Sequence, residues 1–340
     1  MILVATLTVI IKRLIELFNR VISYFSNKLH MYNTIKGIPG PKAYPIIGNA
    51  HLFIGDIEDI GQKFLDSGKN YQSLWRLWLG TKLFVIVDNP EYVKMVLNNL
   101  NFTEKSEEYN YLKPFVANGL FTAPASVWNP HRKFINEFFL KTHVKSYMDV
   151  FVNHSVSLTK KLETLVEENA DVFHYVSRSS LDIIYDAMLD TQLNLLTNEN
   201  CFLAESIDCL LEIAAQRIFK IWLQPNILFY NSSMGKKFQK CLSYVDNVTH
   251  NIIKEKKVSW LSSNINRELT EENKEQKRTT LLDFLFESSY EGEKYSEQDI
   301  RDEINTFAIA GSETSATVIS FVLLMLATFP DIQVRTYYMV

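Results

Sequence analysis

The chain opens on an apolar run, Met1 to Ile11, closed by Lys12 and Arg13, after which Leu14, Leu17, Phe18, Val21, Ile22 and Phe25 recur at helical spacing. The run is shorter than the roughly 20 residues a membrane span needs. Residues 1–30 therefore predict an amphipathic membrane anchor, tilted or interfacial, with a shallow span as the alternative. A cleaved signal peptide carries its positive charge before the apolar run, and here the basic pair follows it, which also keeps the body on the cytosolic side. Residues 31–49 form a proline-rich hinge, running from Ile38-Pro39-Gly40-Pro41 through Pro45 to Gly48-Asn49. Two aliphatic and aromatic runs, Ser73 to Gly80 and Leu83 to Val87, flank a Gly80-Thr81-Lys82 turn and predict a hairpin. A helix follows from Pro90 to about Asn98, opened by Asp88-Asn89. From Val144 to Tyr244 apolar residues recur at three and four, predicting several core helices with a break at Gln224-Pro225. The charged stretch from Lys254 to Thr280 reads as an exposed connection. The predicted fold class is mainly α with a small β-sheet, an α+β chain with one body over residues 50–340.

The last long apolar stretch can start at Ser296, with Asp299 completing a capping box, and run without proline to Phe329. Inside it, Ala310-Gly311-Ser312-Glu313-Thr314-Ser315 places a glycine, a carboxylate and a hydroxyl where a core helix carries packing residues. Gly311 costs about 1 kcal/mol relative to alanine, a loss that makes sense if a flat group must approach the backbone there. Thr314 lies four residues after Ala310, so its hydroxyl can bond back to the Ala310 carbonyl, and Glu313 beside it can take up and release protons. Val318 to Phe329 is apolar enough to suggest a second span, but the acids at Glu313 and Asp331 bracket it closely, and a buried helix is the better reading. Upstream, Trp128-Asn129-Pro130-His131-Arg132 puts an indole and a guanidinium at i and i+4, on one face of a helix that Pro130 can open. Both are donors suited to carboxylates.

Composition narrows the function. With 340 residues, 47% of them hydrophobic, the chain can bury a substantial core. A formal net charge of −4 gives no reason to expect nucleic acid as a partner. Cys201, Cys209 and Cys241 have spacings that match neither a zinc site nor a redox pair, and read as buried or idle thiols of a reducing compartment. No dinucleotide-binding glycine loop, phosphate loop, Gly-x-Ser-x-Gly elbow or His-Glu-x-x-His helix is present.

Taken in this order, the proline-rich bend, Trp128-x-x-x-Arg132 and Ala310 to Thr314 resemble the cytochrome P450 haem-thiolate monooxygenases, over nearly the whole chain up to about Gln333. Leu281-Leu282-Asp283-Phe284-Leu285 and Ile300-Arg301-Asp302-Glu303-Ile304-Asn305-Thr306-Phe307 resemble the approach to the long distal helix of the microsomal family-4 branch of insects and other animals. The resemblance implies the N-terminal two thirds of that fold and a haem b cofactor. It also implies electrons from NADPH through a reductase, with cytochrome b5 as a further partner. The expected place is the cytosolic face of the endoplasmic reticulum membrane. By the same resemblance Glu313 and Thr314 are catalytic, Ala310 and Gly311 lie against the haem, and Trp128 and Arg132 hold its propionates. The substrate would be an apolar small molecule such as a fatty acid, a hormone-like lipid or a xenobiotic, into which one oxygen atom of dioxygen is inserted. The irregular aromatic segment from Glu104 to Ser126 would line its pocket, or else is a packed surface loop. Ala310 stands where many family-4 members carry a glutamate that esterifies the haem, so no covalent link is expected.

The departures matter as much. The family's Phe-x-x-Gly-x-x-x-Cys-x-Gly loop is absent, so this sequence supplies no metal ligand, and Glu275-Gln276-Lys277-Arg278 matches the family's Glu-x-x-Arg only by chance, before the distal helix. After Gln333 the sequence from Val334 to Val340 looks foreign, as intron read-through, a frameshift, a short isoform or an incomplete gene model would leave it. The expectation is a truncated, inactive monooxygenase domain. The contrasting reading is a non-catalytic, membrane-associated helical remnant or binding protein.

Overall fold

The computed structural model describes residues 29–71, 73–140, 145–198, 201–269, 279–292 and 295–339, with scattered positions between 12 and 26. The apolar run Met1 to Ile11 and the Glu275 to Arg278 match lie outside the described residues. Lys12, Arg13, Ile15, Phe18 and Ile22 are helical and exposed. The chain divides into two compact units, residues 1–99 with 219–221, and residues 100–218 with 222–340.

In the first unit, α1 (Ile57–Lys69) starts on Asp56, whose carboxylate accepts from the Asp59 N–H at 2.9 Å. The expected hairpin forms from β1 (Leu74–Leu79) and β2 (Lys82–Val87), antiparallel, with Leu74 opposite Val87 and Leu79 opposite Lys82. Helix α2 (Pro90–Leu97) is capped by Asn89, with Pro90 in its first turn, as its sequence predicts. The proline-rich bend is bonded to the sheet as an added edge. The Arg76 N–H donates to the Pro39 carbonyl at 2.8 Å, and buried Asn49 accepts from the Trp78 N–H at 2.9 Å while donating to the Lys42 carbonyl at 3.0 Å.

The second unit is helical. After the short α3 (Lys113–Val116) come α4 (Ala125–Phe138), α5 (Met148–Glu163), α6 (Val172–Leu189), α7 (Leu203–Phe219), α8 (Asn226–Asn231), α9 (Ser233–Leu269), α10 (Leu281–Gly292), α11 (Glu297–Thr328) and α12 (Pro330–Met339). The core gathers Phe115, Tyr185, Leu210, Phe238, Leu285 and Ile304 from six of these elements. The break at Gln224-Pro225 is real, and Arg217 braces it by donating to the Leu223 and Gln224 carbonyls.

Three expectations are corrected. Pro130 lies inside α4 instead of opening it: the helix starts at Ala125, after Pro124, whose fixed φ already suits the cap position. The charged stretch from Lys254 is helical to Leu269, because Ile253, Lys256, Lys257 and Trp260 recur at three and four, and lysine stems cover apolar surface while their heads stay wet. Third, Val318 to Phe329 is not a buried helix. Phe321 is 59% and Leu324 54% exposed, because no described element lies over that face of α11.

Helix α11 spans 32 residues, about 48 Å. Among the described residues it is the one helix long and apolar enough to cross a membrane. Its first half instead carries buried, hydrogen-bonded polar groups that belong to a folded body.

Candidate functional site

The N-terminus of α11 is set by the predicted capping box: the Ser296 hydroxyl accepts from the Asp299 N–H at 3.1 Å, and the Asp299 carboxylate accepts from the Ser296 N–H at 2.9 Å. One turn on, Asp302, Glu303, Asn305 and Thr306 are all buried. Buried polar groups must be bonded, and Asp302, Glu303 and Thr306 bond to the end of α3 and the loop that follows it. Asn118 donates its N–H to Asp302 Oδ2 at 3.1 Å, Leu120 donates to Glu303 Oε2 at 3.1 Å, and the Thr306 hydroxyl donates to the Val116 carbonyl at 3.0 Å. Glycine is required at the centre of this contact. A Cβ on Gly119 would lie 2.3 Å from Thr306 Oγ1 and 2.6 Å from the Asp302 carbonyl.

The same carboxylate holds α4. His131 Nδ1 lies 2.9 Å from Glu303 Oε1, with Glu303 only 1% exposed, and the Phe139 and Phe307 rings meet at 5.3 Å just beyond. Burial pushes the Glu303 carboxyl above its ordinary range, while His131 and the Leu120 N–H pull it back. The helix carrying Trp128 and Arg132 is thus pinned to α11 at Glu303, about 10 Å along the axis before Ala310. Trp128 is half-buried and Arg132 exposed.

At the motif itself, the Thr314 hydroxyl donates to the Ala310 carbonyl at 2.7 Å on the exposed side of α11, as the spacing predicts. Ser312 faces inward, and its carbonyl accepts from the Ser180 hydroxyl of α6 at 2.8 Å. A Cβ on Gly311 would lie 2.8 Å from Ile184 Cδ1, so on its inner side the glycine faces α6. The open shelf consists of half-exposed Ala310 and exposed Thr314.

Glu313 is half-buried, and desolvation raises its carboxyl above the ordinary range. Asp208 on α7 is pushed up to about 6, first by burial and then by the charge of Glu313, with Arg178 opposing. Arg178 in turn bonds Glu205 and donates to the His174 carbonyl at 3.0 Å. The arrangement sets one base, Arg178, against Glu205 and Asp208, with Glu313 adding a second acid near Asp208 that holds its proton to higher pH than usual.

Sequence reasoning missed His131, Glu303, Gly119 and Asp208. Two adjacent acids flanked by Ile300 and Ile304 on a helix that runs on into an apolar stretch were the available signal for the clamp: charges that must be buried must also be paired. Nothing local marks Asp208.

The cysteines do not make a metal site. Cys201 and Cys241 are half-buried and Cys209 is buried, with its thiol pushed up to about 11, mostly by burial and further by Cys241, which keeps it protonated. Among the described residues no group of three metal-ligating side chains is found.

The sequence profile of the family described as Cytochrome P450 matches residues 38–338, running past Gln333, where the sequence reading expected the resemblance to stop. Cytochrome P450 4c3 of Drosophila melanogaster is 29% identical over 328 residues, which are 92% of this chain and 61% of that protein. Cytochrome P450 4d2 of the same species is 26% identical, covering 88% of this chain and 61% of the relative. Cytochrome P450 4V2 of Homo sapiens is 26% identical, covering 94% and 61%. The chain thus spans about three fifths of the length of these curated relatives.

Proposed function

Since the chain belongs to the cytochrome P450 family, we propose that it carries the oxygen-side half of a haem-thiolate monooxygenase, one that inserts an atom of dioxygen into an apolar substrate such as a fatty acid, a hormone-like lipid or a xenobiotic. The observation that carries this reading is the shelf on α11, where the Thr314 hydroxyl is bonded to the Ala310 carbonyl beside half-buried Glu313. A flat, largely apolar group fits there. Ala310 and Thr314 leave the surface low, and exposed Val318 and Phe321 continue the same face as apolar wall. Haem b would be held by Ala310 and the backbone at Gly311, with its propionates accepting from the Trp128 indole and the Arg132 guanidinium. When bound, the haem supplies the redox chemistry of dioxygen, with electrons from NADPH through a reductase and cytochrome b5 as a second donor.

The protein's own contribution is proton handling. Glu313 keeps its proton to higher pH than an exposed glutamate because burial disfavours its charge, and Thr314, donating to the Ala310 carbonyl, holds its hydroxyl on the exposed side of the helix. The Glu303 clamp fixes α4 against α11, so that Trp128 and Arg132 stay at a constant offset from the shelf. The distal donors fit the cofactor and the cysteines do not. None of the three stands in the family's ligand loop. An apolar N-terminus holds it on the cytosolic face of the endoplasmic reticulum membrane, and its acidic balance argues against nucleic acid as a partner.

Titration of haemin into membrane-extracted chain tests the reading, followed by haem absorbance and by tryptophan quenching. Saturable binding, weakened about tenfold or more by Arg132→Gln with Trp128→Phe, is expected. Binding indifferent to both substitutions overturns the site. A thiolate-type spectrum of the reduced carbon monoxide complex would overturn the claim that the cysteines are idle.

A further inference from the structure

About 15 Å along α11 before Ala310, helices α9, α10 and the first turns of α11 enclose a cleft of about 470 Å³. This volume falls within the range of roughly 300–1,000 Å³ typical of small-molecule pockets. His250, Ile253, Lys254, Lys257 and Trp260 contribute to it from one face of α9, at the three-and-four spacing of a helix.

The two ends of the cleft differ chemically. At one end Trp260 packs on buried Phe286, ring centroids 5.7 Å apart. At the other stand Lys254 and Arg301, with Lys257 between. Lys254 to Trp260 is about 9 Å along the helix. Arg301 Nη2 donates to His250 Nδ1 at 2.7 Å. Lys257 is engaged by Glu297. Half-buried Asp246 lies within the field of Arg301. Three fixed cations thus face two acids, and exposed Lys254 has no hydrogen-bond or ion-pair partner among the described residues.

A cleft with an unpaired lysine beside Arg301 at one end and aromatic rings at the other calls for a ligand with the same polarity. We propose that it binds an amphipathic aromatic carboxylate, its anion against Lys254 and Arg301 and its rings against Trp260 and Phe286. The neutral isostere keeps the ring contacts and loses the charge-assisted bonds. This site does not depend on haem.

The probe is naphthoate, added to the full chain labelled with fluorotryptophan and followed by fluorine NMR, with the Trp260 resonance assigned by its loss in Trp260→Phe. A saturable shift of that resonance is expected. It should be about tenfold weaker for naphthylmethanol and for naphthoate with Lys254→Glu. Because Lys254 is exposed, that variant should keep the helical circular dichroism of the parent; if it does not fold, Lys254→Gln carries the same comparison. A Trp260 resonance that never moves, or one that moves equally with the alcohol or in the Lys254 variant, overturns the proposal.

Discussion

The two halves of α11 invert the usual relation between polarity and burial. From Glu297 to Ser312 the helix buries Asp302, Glu303, Asn305 and Thr306, and from Val318 to Phe329 it exposes Phe321, Val322 and Leu324 to solvent. What separates the halves is the company each keeps. The first half lies against α6, α3 and the loop before α4, with His131 of α4 on Glu303, and Asp302, Glu303 and Thr306, whose burial would otherwise be prohibitive, are bonded there. The second half runs past the described elements, so its apolar side chains form a continuous exposed face of the kind that marks a binding surface. Burial follows partners, and hydrophobicity alone does not locate them. The shelf at Ala310 and Thr314 sits at the boundary, where one side of the helix is packed by Ile184 and the other is open.

The sharpest way to break this contrast is at matched aliphatic positions. Ile304→Ala, at a site 1% exposed, should cost about 3 kcal/mol in denaturant-induced unfolding. Gly119→Ala should cost about 2 kcal/mol, since its Cβ has no space beside Thr306 and the α11 backbone, and the loss should appear as a lower denaturation midpoint. Asp208 tests the boundary through pH. Its carboxyl rises from 3.8 when free to about 6 in the fold, so the native state holds the proton more tightly, and the stabilisation is full below pH 3.8 and disappears as pH rises through about 6. Asp208→Asn should flatten that decline, by an amount on the order of 1 kcal/mol once its partial exposure is discounted, read from unfolding curves at pH 4 and pH 7. Ser296→Ala removes half of the capping box and should cost about 1 kcal/mol, with fraying visible in amide exchange at the start of α11. Leu324→Ser should change stability by less than about 0.5 kcal/mol while lowering self-association in light scattering. A loss at Leu324 comparable to that at Ile304 would mean the two halves do not differ as described.

What was legible in the sequence was local. The Asn89-Pro90 start, the Ser296 and Asp299 box, the hairpin around Gly80 and the Thr314 bond to Ala310 each depend on residues within four positions, and all are present. The features that escaped depend on distant partners. Gly311 signals close approach in sequence, yet only the fold shows that Ile184 is one of its neighbours. His131 and Glu303 are unremarkable singly and become a clamp only once α4 lies on α11. Pro130 misled because proline marks the first turn of many helices, and here Pro124 already starts one. The helical continuation of α9 was hidden because lysine stems do the work that a stripe of leucines usually signals.

The clamp has a consequence in time. Its hydrogen bonds join Asn118 to Asp302 and Val116 to Thr306, across 184 and 190 residues of chain. On a ribosome adding roughly 5–20 residues per second, the loop before α4 would wait on the order of 10–40 s for its partner helix to be made. During that interval Glu303 does not yet exist to receive His131, and Phe115 and Val116 have no α11 to pack beneath. The clamp therefore closes later than the local contacts of α5 and α6, and substitutions there should slow the arrival at the native state only after the α5 and α6 pair has formed.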